Sequence, residues 1–214
     1  AGMDLNVLAD LRNASGENPA EGVFNGIQSI HQIFRKIERA GMDAKTNKGG
    51  KPIATVLPGT ALGIGFELPL ATHRIFAADN PKAKIGLPEI LVGLFPGAGG
   101  TIRLVRKLGA MAAAPYLLEG KTLPPAKAKA AGLIDSVSAD PMADARAWVL
   151  NATAADLVKP WDQKGYKMPG GTPYHPSGFM TFIGAAAMVH GKTQGAYPAA
   201  KALLSAVYEG AQVP

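Results

Sequence analysis

The chain has 214 residues, of which 47% are hydrophobic, so one sizeable core is within reach and two full domains would be cramped. Its 26 glycines and 17 prolines, about a fifth of the residues, argue against a long uninterrupted helical bundle. There is no cysteine, which excludes disulfide frameworks, thiolate metal sites and cysteine nucleophiles, and the formal charge of +6 comes from scattered basic residues rather than a run.

Nucleic acid is therefore not an expected partner. The most apolar stretch, Pro52 to Ala71, is broken by Pro58, Gly59, Gly63, Gly65, Glu67 and Pro69, unlike a membrane span, and a cytoplasmic-type soluble protein is expected. The chain opens without an initiator methionine and stops directly after a helical pattern, so it reads as a piece of something longer.

In chain order, Asp4 to Arg12 carries leucines at helical spacing behind a capping Asp4. Pro19 to Ala40 has Val23, Ile27, Ile30, Phe34 and Ile37 on one face and predicts a long amphipathic helix ending at Gly41. Pro52 to Leu57 reads as a buried strand, Pro58-Gly59 as a turn and Ala61 to Thr72 as an apolar helix rich in glycine at its start. A strand candidate at Arg74 to Ala78 and an extended piece at Ala83 to Gly86 precede a helical turn opened by Leu87-Pro88-Glu89. The loop Phe95-Pro96-Gly97-Ala98-Gly99-Gly100 leads into a helix from Thr101 to Leu108. Further helices are predicted at Ala110 to Glu119, Pro125 to Ala131 and Pro141 to Thr153, with a strand at Leu133 to Val137. Composition shifts near residue 154 to a stretch rich in proline and glycine, which places a boundary there, ahead of helices near Gly178 to Met188 and Pro198 to Glu209.

Two acids stand out. Glu67 lies in Gly63-Ile64-Gly65-Phe66-Glu67-Leu68, where an unpaired ionised carboxylate is costly to bury, so it either faces solvent or has a partner or a job. Glu89 in Leu87-Pro88-Glu89-Ile90 is either an ordinary first-turn acid or its counterpart. Together they offer a carboxylate pair for general acid/base chemistry, beside helix starts whose free amides favour developing negative charge. Gly191-Lys192-Thr193 and Gly120-Lys121-Thr122 miss the first glycine of a phosphate loop, and no serine sits in a nucleophile elbow. The four histidines show no metal-ligand spacing.

The segments ALGIGFEL, IGLPEILVGLFPGAGGTIRL and LEGKTLPPAKAKAAGLID, together with Ala1-Gly2-Met3-Asp4, resemble in order and nearly in register the signature region of the crotonase (enoyl-CoA hydratase/isomerase) superfamily. The resemblance covers residues 1 to about 140. Residues 141 to 214 are similar to the segment that joins a hydratase part to a 3-hydroxyacyl-CoA dehydrogenase part in multifunctional fatty acid β-oxidation enzymes.

What the resemblance implies is an α/β fold with a crotonase-like ββα spiral core lacking its N-terminal strands, over residues 1–153. A helical linker over residues 154–214 would lead to a covalently linked dehydrogenase part. Glu67 and Glu89 would be the catalytic carboxylates, the amides of Met3 and Ile64 the oxyanion hole, and Gly97, with Gly63 and Gly65, would position water or substrate. The substrate would be an acyl-CoA thioester, with no cofactor or metal required because the coenzyme A belongs to the substrate; a homo-oligomer is a further implication. The sequence departs from the family pattern at Ile64, where glycine is usual, in a slightly longer connection through Ala78 to Lys82, and at His73, where a small acid is common and for which the sequence offers no role. Double-bond isomerisation by one carboxylate, or a non-catalytic scaffold left by the missing strands, are the alternative readings.

Overall fold

The computed structural model describes Asn6 and residues 18–213. Met3 and the helix expected from Asp4 to Arg12 lie outside these, apart from Asn6 itself. Helix α1 (Pro19–Arg39) starts where the sequence predicts. Proline takes the first helical position, and the Asn18 side chain caps the Glu21 amide. The helix ends at Ala40, whose left-handed backbone (φ 47°) returns its amide to the Lys36 carbonyl.

The chain then alternates between two small sheets. Strand β1 (Ala54–Leu57) belongs to the first and β2 (Ala61–Leu62) to the second; helix α2 (Ile64–Ala71) follows. The pattern repeats with β3 (Arg74–Ala78), β4 (Ile85–Gly86) and a 3-10 turn at Pro88–Val92. Because β1 pairs with β3 in parallel and β2 with β4 in parallel, each turn of the chain lies beside the one before it. That is the ββα spiral expected from the sequence. Helices α3 (Gly100–Leu108) and α4 (Ala110–Leu118) follow. Strand β5 (Thr122–Leu123) then pairs antiparallel to β4. Helix α5 (Pro125–Ala130) leads to β6 (Ser136–Ser138), which completes the first sheet in the order β1-β3-β6, and α6 (Pro141–Asn151) packs on that sheet.

Several boundaries differ from expectation by a few residues, and two of them have a local cause. Helix α2 begins at Ile64 rather than Ala61, because Gly63 turns the chain at φ 58°, a region glycine enters without strain, and leaves Ala61–Leu62 free to pair with β4. The strand expected over Leu133 to Val137 is shifted to Ser136–Ser138; Leu133 and Ile134 are instead buried in the core, the Leu133 amide closing the turn after α5 by donating to the Ala128 carbonyl.

Beyond residue 154 lie 3-10 turns at Ala154–Leu157 and Pro160–Asp162, then helices α7 (Pro176–Thr193) and α8 (Pro198–Gly210). The proline- and glycine-rich stretch between them is not bare linker. Met168, Val189, Ala200, Leu203 and Val207 share one continuous apolar core with Phe66, Leu104 and Leu117. Among the described residues no helix is long and apolar enough to cross a membrane.

Candidate active site

Helix α2 is apolar apart from Glu67 and mostly enclosed, with Phe66 and Ala71 at 0% exposure and Leu68 its exposed residue, so Glu67 lies on a buried side of it. Glu67 is only 3% exposed. Its Oε1 accepts hydrogen bonds from the amides of Ala98 (2.9 Å) and Gly100 (2.8 Å) in the loop ahead of α3. Those bonds favour the ionised form, as does Arg103 nearby, but burial dominates and the Glu89 charge adds to it, so the carboxyl is pushed up to about 7. A group poised there can hold or release a proton near neutrality.

Glu89 sits in the first turn of the 3-10 segment that follows β4. Its Oε1 comes within 3.3 Å of the point where a Cβ on Gly63 would stand, which places its carboxyl beside the start of α2. Its Oε2 is buried without a partner among the described residues, and burial pushes this carboxyl up as well. An unpaired buried carboxyl oxygen is tolerated where it awaits a ligand.

The start of α2 supplies the complementary element. The amides of Ile64 and Gly65 precede the first bond the helix can make, while those of Phe66 and Glu67 turn back to the Gly63 carbonyl. At the far end of the helix the Lys159 ammonium donates to the carbonyls of Leu70 (3.1 Å) and Thr72, so a residue from beyond position 154 closes the end opposite the acids. Burial holds Lys159 down to about 8.

The loop that grips Glu67 requires its glycines. A Cβ at Gly100 would lie 2.7 Å from Glu67 Cγ, and Gly99 takes a φ of 99°. Gly97, expected to offer its amide, shows a different feature: its carbonyl lies 2.5 Å from His31 Nε2 on α1. The next carbonyl, of Ala98, accepts from Arg103, whose guanidinium also pairs with the buried Glu38 at 3.0 Å. Arg35 joins Glu38 to Asp162 through two bonds of 2.8 and 2.6 Å to that carboxylate. Beside this loop a pocket of about 540 Å3 is lined by Ile27, His31, Phe95, Gly97, Ile102 and Ala199.

Of the residues singled out from sequence, Glu67, Glu89, Gly63, Ile64, Gly65 and Gly97 thus converge on one place, and Met3 lies outside the described residues. His73 is set apart: its Nδ1 accepts from the Ile53 amide (2.9 Å) and its own amide donates to the Ile53 carbonyl, so it latches the approach to β1. Sequence reasoning missed the Ala98 and Gly100 amides, His31, Arg103 and Glu38. The signal for two of these, His31 and Glu38, is the spacing of Ile27, His31, Phe34 and Glu38, one stripe of α1 that faces the loop. Among the described residues no group of three or more His, Asp or Glu side chains is placed to hold a metal ion.

The enoyl-CoA hydratase/isomerase family profile matches residues 2–156. The fatty acid oxidation complex subunit alpha of Aliivibrio fischeri is 34% identical over 98% of this chain, which spans 28% of that relative's length. That of Shewanella amazonensis is 33% identical over 84% of the chain and 24% of the relative. Among solved structures, an enoyl-CoA hydratase from Thermoplasma volcanium superposes with a TM-score of 0.54 at 26% identity, covering 98% of this chain and 68% of the other. One from Geobacillus kaustophilus gives 0.57 at 25%, covering 98% and 72%.

Proposed function

The chain belongs to the enoyl-CoA hydratase/isomerase family, and from that premise we propose that it adds water across the double bond of a trans-2-enoyl-CoA in fatty acid β-oxidation. The observation that carries this reading is a pair of carboxyls withdrawn from solvent, Glu67 buried and Glu89 partly so with one oxygen enclosed. Glu67 is anchored by two amides and poised at about 7, while Glu89 keeps a buried oxygen with no partner among the described residues, within electrostatic reach of Glu67. Hydration needs one group to take a proton from water and another to deliver one to carbon, and two acids of raised proton affinity can do both.

In this reading the thioester carbonyl lies at the start of α2, where the Ile64 amide and the helix dipole meet the negative charge that develops as the enolate-like intermediate forms. The Met3 amide is the second donor, and Gly63 and Gly65 let the substrate approach the backbone closely. Water is held between the carboxyls of Glu67 and Glu89 with help from the Gly97 amide. The apolar pocket beside the 93–99 loop accommodates the acyl chain. The Ile64 side chain, present where the family usually has glycine, narrows the approach to the thioester. No cofactor is assigned, since coenzyme A is part of the substrate.

At the level of the whole protein, residues 1–153 would be the hydratase part and residues 154–214 would lead toward a covalently linked 3-hydroxyacyl-CoA dehydrogenase part; that this chain spans about a quarter of the length of the fatty acid oxidation complex alpha subunits it matches leaves room for one. A cytoplasmic, homo-oligomeric enzyme fits this assignment.

The test is hydration of crotonyl-CoA, followed as loss of the conjugated enoyl absorbance, in the wild type and in Glu67→Gln and Glu89→Gln. Each substitution should lower kcat by at least about 10²-fold, the worth of a positioned acid or base. Wild-type rates in both variants would sink the proposal, and faster turnover of 3-enoyl than of 2-enoyl thioesters would replace hydration by isomerisation.

A further inference from the structure

We infer that His31 is a positioning residue for the reaction, acting on Glu67 through the single peptide unit that joins Gly97 to Ala98. The inference rests on the hydratase reading of the glutamates and adds a residue outside the motifs that define the family resemblance. A carbonyl oxygen can only accept, so the His31 ring nitrogen 2.5 Å from the Gly97 carbonyl is the donor, and Nε2 carries a proton. The amide at the other end of the same planar unit is that of Ala98, which donates to Glu67 Oε1 at 2.9 Å. Pinning one end therefore aims the other. The two bonds lie in series, so donation into the carbonyl also polarises the N–H that faces the carboxyl.

The loop would not hold this orientation by itself. The peptide turns about Gly97 on one side, which has no Cβ to oppose rotation, and about Ala98, with only a methyl, on the other. What opposes it comes from α1. The stripe Ile27, His31, Phe34, Glu38 approaches the loop at four successive points. Ile27 Cδ1 stands 3.7 Å from where a Gly97 Cβ would be, His31 meets the Gly97 carbonyl, and Phe34 packs in one cluster with Ala98. Glu38 holds Arg103, which donates to the Ala98 carbonyl. Two consecutive carbonyls are thus pinned by groups from outside the loop, while the Ala98 and Gly100 amides donate to Glu67. His31 also lines the 540 Å3 pocket beside the loop, so it is reachable by whatever enters that pocket.

The test compares His31→Leu, His31→Asn and His31→Gln in full-length protein by crotonyl-CoA hydration across pH, with thermal midpoints recorded for each. Leucine removes the donor, asparagine is too short to reach, and glutamine offers an N–H at similar reach. The expected result is a kcat lower by about 10- to 100-fold in His31→Leu and His31→Asn with KM within about twofold, and recovery to within about threefold in His31→Gln. The pH limb set by Glu67 should move upward in the two loss variants, because a misaimed Ala98 amide no longer favours the carboxylate. The charged groups facing Glu67, Glu89 from the 3-10 turn and Arg103 from α3, are unchanged by these substitutions.

In a Glu67→Gln background the His31→Leu substitution should cost little more, since its effect passes through Glu67. Wild-type kcat and pH profile in His31→Leu, or an equal loss in His31→Gln, would overturn the inference while leaving the hydratase reading intact, and so would an undiminished effect in the Glu67→Gln background. Wild-type activity in Glu67→Gln would instead refute the functional reading on which the inference stands.

Discussion

Replacing Gly100 by alanine sets two effects of known sign against each other. Gly100 is the first residue of α3 and its backbone is one that any residue adopts, so alanine alone should stabilise the helix start by at most about 1 kcal/mol. Its Cβ, however, would stand 2.7 Å from Glu67 Cγ and 2.9 Å from Oε1, and the carboxyl must shift to relieve the overlap. That shift breaks at least one of the amide bonds to Oε1, each worth about 1.5–3 kcal/mol if the acceptor is ionised. The net expectation is a destabilisation of about 0.5–2 kcal/mol, or a Tm lower by roughly 2–6 °C for a chain of this size, with kcat for crotonyl-CoA down by about 10²-fold. Calorimetry and the hydration assay measure the two quantities. The decisive control is Glu67→Ala, in which the overlap is gone and the same Gly100→Ala change should stabilise rather than destabilise. A Gly100→Ala protein as active and as stable as the wild type would show that Glu67 does not occupy this position against the loop.

Glu67 also imposes a pH signature. Its folded value of about 7 lies above its ordinary 4.5, so the folded state binds the proton more tightly, and stability falls as pH rises from about 4.5 to 7, by roughly 3 kcal/mol once complete. Thermal melts of Glu67→Gln against wild type across this range should show the variant gaining relative stability with pH; parallel curves would contradict the placement. Arg103→Met leaves Glu38, at 2% exposure, with Arg35 as its remaining partner and frees the Ala98 carbonyl, and should cost about 2–4 kcal/mol in denaturant unfolding. A loss below about 1 kcal/mol would remove this ion pair as a support of the loop. Tyr197→Phe deletes the hydroxyl that donates to the Ile90 carbonyl next to Glu89, and should lower stability by about 1–2 kcal/mol while lowering kcat more than it raises KM; unchanged kinetics would confine Tyr197 to stability.

The strongest elements of the sequence were legible because their signals are local. Helix α1 announces itself by period and caps, and the acid within α2 by its cost in apolar surroundings. The partners of Glu67 were not, because a backbone amide leaves no trace in residue type: Ala98 looks like filler, and only the glycines at 97, 99 and 100 hint that backbone must come close to something. His31 is inconspicuous in the sequence for a related reason. A lone histidine on a helix carries no metal-ligand spacing, and its partner is a carbonyl 66 positions away. Residues 154–176 read as a linker because proline and glycine suggest exposure, yet Lys159 and Asp162 reach back to α2 and α1 from this stretch, contacts that composition cannot encode.

The spacing of the two acids has a structural cause that sequence alone leaves open. Strands β2 and β4 pair in parallel with Ala61 opposite Ile85 and Leu62 opposite Gly86, an offset of 24 positions set by one full turn of the spiral. Each strand ends and the chain turns directly afterwards, at Gly63 into α2 and at Leu87 into the 3-10 turn. Residues that follow neighbouring parallel strands by a few positions must emerge at the same end of the sheet. Glu67 lies five residues past Leu62 and Glu89 three past Gly86, so their separation of 22 is the register offset less the difference in turn length. An insertion in the surface connection Ala78 to Lys82 changes the sequence separation without moving either acid, which is why a slightly longer connection there is compatible with the site. A one-residue slip of β4 against β2 would turn Ile85 outward and Gly86 away from Thr122, whose side chain stands 3.1 Å from where a Cβ on Gly86 would be. The buried Ile85, at 0% exposure, therefore holds the two carboxyls in register as firmly as any residue that touches them.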